Sequence, residues 1–101
     1  MPQGQSAIKE RQRTDLKEPR QFKVIMHNDD FTTMEFVVQI LKEIFLKSEE
    51  SATAIMLEIH KHNKGVAGIY TYDIAMSKMQ KATRMARENN FPLRLTVEPV
   101  E

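Results

Sequence analysis

The chain has 101 residues, enough for one compact domain and too few for two. Its 15 Lys+Arg against 14 Asp+Glu leave a formal charge of +1, without the one-signed positive field that nucleic-acid binding calls for. The absence of cysteine removes disulfides, thiolate metal sites and a Cys nucleophile, and no apolar run approaches the roughly 20 residues that span a bilayer.

Residues 1 to 20, "MPQGQSAIKERQRTDLKEPR", hold few large apolar side chains and no period that would bury a face, so a flexible extension is expected there. With five basic and three acidic residues it carries about +2 and leaves about −1 on the domain expected over 21–101. It is polar where a signal peptide has an apolar centre, and the expectation is a cytoplasmic protein.

From Phe22 the pattern changes. In "FKVIM", Phe22, Val24 and Met26 alternate with Lys23, Ile25 and His27, which predicts a strand with one strongly apolar face. Thr32 and Glu35 have the spacing of a capping box, and a helix is expected from about Thr33 to Leu46. Its core stripe is Phe36, Val37, Ile40, Leu41, Ile44 and Phe45, while Met34 and Val38 widen the apolar arc at the start.

Ser48, followed by Glu49 and Glu50, is placed to cap a second helix, whose stripe Ala52, Ile55, Met56 and Ile59 ends beside His60. "NKGVAGIY" reads as a turn and short strand, with Gly65 and Gly68 marking a bend or a close backbone approach. A third helix begins near Tyr72, carries Ala75, Met79, Ala82 and Ala86 at helical spacing, and stops at Asn89, Asn90 and Pro92. "LRLTV" then alternates as a closing strand. The order β-α-α-β-α-β suits an α+β domain, a small antiparallel three-stranded sheet packed against three helices.

The polar junction "NDD", Asn28 to Asp30, exceeds what a helix start needs. Asn and Asp there serve turn chemistry through bonds to local backbone. With His60 folded against them they would form a set of acceptors for a primary ammonium, whose three N–H donors need three partners once out of water. An acid–base or metal-dependent hydrolase using Asp29, Asp30 and His60 is a third possibility. The calcium-loop and HExxH patterns are absent, and Ser6, Ser48, Ser51 and Ser77 stand in no nucleophile context.

Four ordered segments, "KVIMHNDDFTTMEFVVQIL", "IMLEIH" ending at His60, "GVAGIYTYDIA" and "MARENNFPL", resemble the ClpS family, bacterial adaptors that deliver N-degron substrates to the ClpAP protease. The resemblance covers about Phe22 to Glu98. It implies a protein that is not an enzyme, has no catalytic residues and needs no cofactor or metal. Its partners would be N-degron proteins and peptides and the N-terminal domain of ClpA or a related unfoldase, with neither nucleic acid nor membrane among them.

By the same resemblance Asn28, Asp30 and His60 hold the substrate's free α-amino group, with Asp29 and Thr32 shaping the rim or bonding the first peptide units. Met34, Val37, Met56, Ile59 and Leu93 line a pocket for an N-terminal Leu, Phe, Tyr or Trp, and Met34 acts as a gate against β-branched side chains. Tyr72, Asp73 and Lys78, at the start of the third helix, would meet the unfoldase, and the N-terminal extension would engage it during handover. Thr33 stands where relatives commonly have proline, and Ala67 occupies a small-residue position before Gly68; neither touches the amine site.

Overall fold

The computed structural model describes residues 20–101, so the expected extension lies outside the described residues apart from Arg20. Its elements are β1 (Phe22–His27), α1 (Met34–Glu43), α2 (Glu49–His62), β2 (Lys64–Tyr70), α3 (Tyr72–Glu88) and β3 (Arg94–Pro99). The three strands form one antiparallel sheet in the order β2-β1-β3. This is the α+β architecture expected from the chain-order pattern.

β1 is central because its alternation gives it a face to bury and its backbone is free to pair on both sides. Val24 and Met26 are fully buried with Ile40, Leu41 and Leu93. The core lies between this face and the helices, where Val24 and Met26 meet Phe36, Val37, Ile40, Ile59 and Leu95. α3 presents Ala75, Ala82 and Ala86, all buried, which lets its backbone come close to the sheet. Ile25 points to the opposite face and is still only 4% exposed, flanked in register by Val66 and Thr96. The outer face is therefore not the polar one that strict alternation suggests.

The glycines of β2 act through space, since neither has a positive φ. Val24 pairs with Gly68 and Ile25 with Val66, so Ala67 is an extra residue that bulges the strand. A Cβ on Gly65 would lie 2.9 Å from Ile59 Cγ1, and one on Gly68 would collide with the Tyr70 ring, which lies across it. Both a bend and close approaches are present.

The capping box expected on Thr32 is replaced by a cap one residue later. Thr33 Oγ1 accepts from the Phe36 N–H at 3.1 Å, while Thr32 turns back to Asp29. The reason is competition for one hydroxyl: the Asp29 carboxylate holds the Thr32 N–H and O–H together, leaving the next threonine at the helix end. Ser48 caps α2 as expected, accepting from Ser51 N–H.

α1 stops at Glu43, short of the expected Leu46. Leu46 takes φ 57°, and the Lys47 N–H reaches back to the Leu41 carbonyl at 3.0 Å, a left-handed reversal closing the helix end. Asn63 and Asn90 make the corresponding reversals after α2 and α3. Asparagine tolerates this backbone; leucine is strained by roughly 1–2 kcal/mol. Leu46 is 76% exposed and has little packing to lose. Leu46→Gly is expected to raise stability by about 0.5–1 kcal/mol, read from the denaturant midpoint.

His27 ends β1 on the outer face, its Nε2 2.9 Å from Thr96 Oγ1. Partial burial, then the neighbouring Arg94 and Lys64 cations, hold its pKa below 6.5, against a smaller opposite pull from Glu98. The unfolded chain therefore binds this proton at a higher pH than the folded one. The stabilisation is full above about 6.5 and is lost as pH falls from there through the folded value. Between about pH 7.5 and about pH 5, His27→Gln is expected to lose less stability than the parent chain, measured by denaturant unfolding at each pH.

Candidate functional site

Where β1 ends, four hydrogen bonds fix the path of residues 28 to 33. The Asn28 N–H donates to the Asn63 carbonyl at 2.8 Å, joining the end of the central strand to the residue that closes α2. Asp29 Oδ1 accepts the N–H groups of Phe31 and Thr32, each at 2.7 Å, and Oδ2 accepts the Thr32 hydroxyl at 2.8 Å. Thr33 then starts α1.

Asp29 is thus the member of "NDD" that performs turn chemistry. Partial burial is the largest influence on its carboxyl and pushes the pKa up. The bonds from Thr32 and Phe31, with the Arg87 guanidinium, outweigh it and hold the group below 3.8. Arg87 is itself fixed, its Nη1 donating to the carbonyls of Phe91 and Leu93 at 2.9 and 2.8 Å. A carboxylate engaged by three local donors is poorly placed to take a proton from a substrate, which removes the chemical basis for Asp29 as a general base.

Asn28 and Asp30 are exposed, as is His60 in the last turn of α2. Among the described residues none of their side chains has a hydrogen-bond partner. Because Asn28 is bonded to Asn63, and the Asn63 N–H to the Ile59 carbonyl at 2.9 Å, the polar junction abuts the helical turn that carries His60. His62 faces elsewhere, 3.9 Å from Glu58. Among the described residues no three His, Asp or Glu side chains group as metal ligands.

Between α1 and α2 a cavity of about 350 Å³ opens, with Met34, Val38 and Met56 as its apolar wall and Glu35, Gln39, Lys42, Glu43 and Glu49 around it; along the chain Met34 stands four residues after Asp30 and Met56 one helical turn before His60. Met34 is 45% exposed and Met56 half-buried. Of the other residues expected at the side-chain pocket and its rim, Val37, Ile59 and Leu93 are buried, and Thr32 is half-buried with its hydroxyl on Asp29. Gln39, Lys42, Glu43 and Glu49 are not among the residues expected there. Met34, Val38 and Lys42 follow i, i+4, i+8 on α1, so helical spacing alone carries the signal for this face.

At the opposite end of α1, Tyr72 and Asp73 are exposed at the start of α3, with the Tyr72 ring edge-on to Phe22 at 5.1 Å. Lys78 is half-buried. Its ammonium donates to the Ile44 carbonyl at 2.7 Å and lies 5.4 Å from the Tyr70 ring centre.

Residues 17–96 match the family model of the ATP-dependent Clp protease adaptor protein ClpS. An ATP-dependent Clp protease adapter protein ClpS from Myxococcus xanthus is 55% identical over 86 residues, covering 85% of this chain and 80% of the relative. One from Acetivibrio thermocellus is 50% identical over 92 residues, covering 91% of this chain and 93% of the relative. Among solved structures, Agrobacterium tumefaciens ClpS2 bound to L-phenylalaninamide superposes with a TM-score of 0.79 at 37% identity, covering 82% of this chain and all of that one. The fold, the four ordered sequence segments and these likenesses together make the chain a member of the ClpS family of Clp protease adaptors.

Proposed function

We propose that this adaptor binds proteins bearing an N-terminal Leu, Phe, Tyr or Trp and hands them to the ClpAP protease. The observation that carries the reading is the Asn28–Asn63 bond, which joins the unpartnered acceptors of "NDD" to the His60 turn beside the cavity of Met34, Val38 and Met56. Asn28, Asp30 and His60 take the three N–H donors of the α-ammonium. Asp29 and Thr32, bonded to each other, hold the loop that presents them. The side chain enters between α1 and α2 against Met34 and Met56, over a floor that Val37, Ile59 and Leu93 support from the core.

L-phenylalaninamide, the ligand of the Agrobacterium relative, has the features this site would read: a free α-amino group, an amide where a peptide continues, and a benzyl side chain. The two halves divide the work. Burying a Leu or Phe side chain contributes about 1.5–3 kcal/mol. Charge-assisted bonds to the ammonium add position to side-chain type, because an internal Leu has no cation and would leave the acceptors without donors.

Tyr72, Asp73 and Lys78 form the surface proposed for the N-terminal domain of ClpA or a related unfoldase. Of these, Lys78 is bonded to the Ile44 carbonyl, at the end of α1 away from Asn28 and Asp30. The N-terminal extension is proposed to join during handover.

The test is fluorescence anisotropy with a labelled peptide that begins with Leu, alongside its acetylated and Ala-initial versions. Asp30→Ala and His60→Ala are each expected to weaken Leu-peptide binding about tenfold or more with an unchanged unfolding midpoint, since each removes one charge-assisted bond. Acetylation is expected to do the same to the parent chain. Parent-like affinity in both variants would overturn the assignment. Met34→Ala is expected to admit Ile- and Val-initial peptides, measured in the same assay; continued exclusion of both would remove its gating role.

A further inference from the structure

The cavity between α1 and α2 is walled by two thioethers, Met34 and Met56. They differ in access. Of the described methionines, Met26 is fully buried, Met56, Met76, Met79 and Met85 are half-buried, and Met34 alone is exposed, at 45%. An accessible thioether on the wall of an apolar binding space is a place where chemistry on one sulfur changes what the space accepts.

We propose that Met34 is a peroxide-sensitive modification site whose oxidation closes the cavity to apolar side chains. The closure rests on the reading of this cavity as the pocket for the N-terminal side chain. The oxidant is a hydroperoxide such as hydrogen peroxide. The Met34 sulfur attacks the near peroxide oxygen, the O–O bond breaks as the S–O bond forms, and sulfur gives up two electrons. The far oxygen departs with the proton left on the transferred one, as water.

The product is a sulfoxide, a strong acceptor without a proton of its own. Its neighbours are polar: Glu35, Glu43 and Glu49 present acceptors, while Gln39 Nε2 spends one N–H on Glu43 at 3.2 Å and Lys42 Nζ one on Glu49, each with donors to spare. The new oxygen holds either water or one of those remaining N–H groups, and whichever it holds occupies the volume an incoming Leu or Phe side chain must have dry and apolar. Met34 is the first residue of α1, outside the buried core, so its oxidation leaves the fold standing.

The experiment treats the whole chain with graded hydrogen peroxide. Peptide mass mapping locates each added oxygen, and anisotropy reads affinity for a Leu-initial peptide with a free amine. Met34 is expected to oxidise ahead of the other described methionines, with affinity falling about tenfold in step with its occupancy, unchanged circular dichroism, and recovery after methionine sulfoxide reductase. In Met34→Leu the ratio of treated to untreated affinity is expected to stay near one, whatever the starting affinity. Complete oxidation of Met34 at unchanged affinity overturns the proposal, as does a treated Met34→Leu chain that loses as much as the parent, or oxidation that spares Met34. Failure of the untreated chain to bind overturns the adaptor reading and the closure that depends on it; the mass map still decides independently whether Met34 is the reactive site.

Discussion

β1 is paired on both sides, and the placement of the whole site depends on that constraint. A strand held by β2 and β3 together cannot shift register without turning Val24 and Met26 out of the core. Its C-terminal end is therefore a fixed point, and Asn28 leaves the sheet at one place. The bond from its N–H to Asn63 extends this rigidity to the end of α2. A junction of short polar side chains, which elsewhere would be a mobile loop, is anchored at both ends by regular structure.

Within that frame the three polar residues divide. Asp29 faces inward along its own loop and is satisfied three times over, whereas Asn28 and Asp30 are left with acceptors facing water. The loop's geometry thus comes from one carboxylate, while its neighbours keep their polar groups for the solvent side. The same separation holds in the helices: Val37 and Ile59 belong to the core, while Val38 and Met56, one residue round from Val37 and three before Ile59, face the cavity. Core and cavity wall are adjacent stripes of the same two helices.

That adjacency explains how much of the molecule is legible in the amino-acid sequence. Strand alternation in "FKVIM", the Ser48 cap and the alanine stripe of α3 each report one local rule, and the observed elements follow them. The end of α1 escapes because the rule that stops a helix at Gly or Asn has nothing to say about Leu46, which adopts the left-handed backbone despite its strain. The cap falls on Thr33 instead of Thr32 for a related reason. Two threonines in a row offer equivalent signals, and only the position of the Asp29 carboxylate separates them. Likewise Val37 and Val38 are both apolar and consecutive, and periodicity alone does not tell the residue behind the wall from the residue on it. The part of the cavity's charged margin that comes from α2 is invisible for a different reason: Glu49 reaches the α1 face through Lys42, a fact of packing that no spacing within one helix encodes.

The Lys78 ammonium has two duties. As a donor it covers the Ile44 carbonyl where α1 ends, and as a cation it lies over the Tyr70 ring. The first turns of α3 are thereby tied to the segment that leaves α1. Neutralising that nitrogen, by acylation or by replacement, would leave a backbone oxygen without its donor and take the charge from the aromatic face in the same stroke.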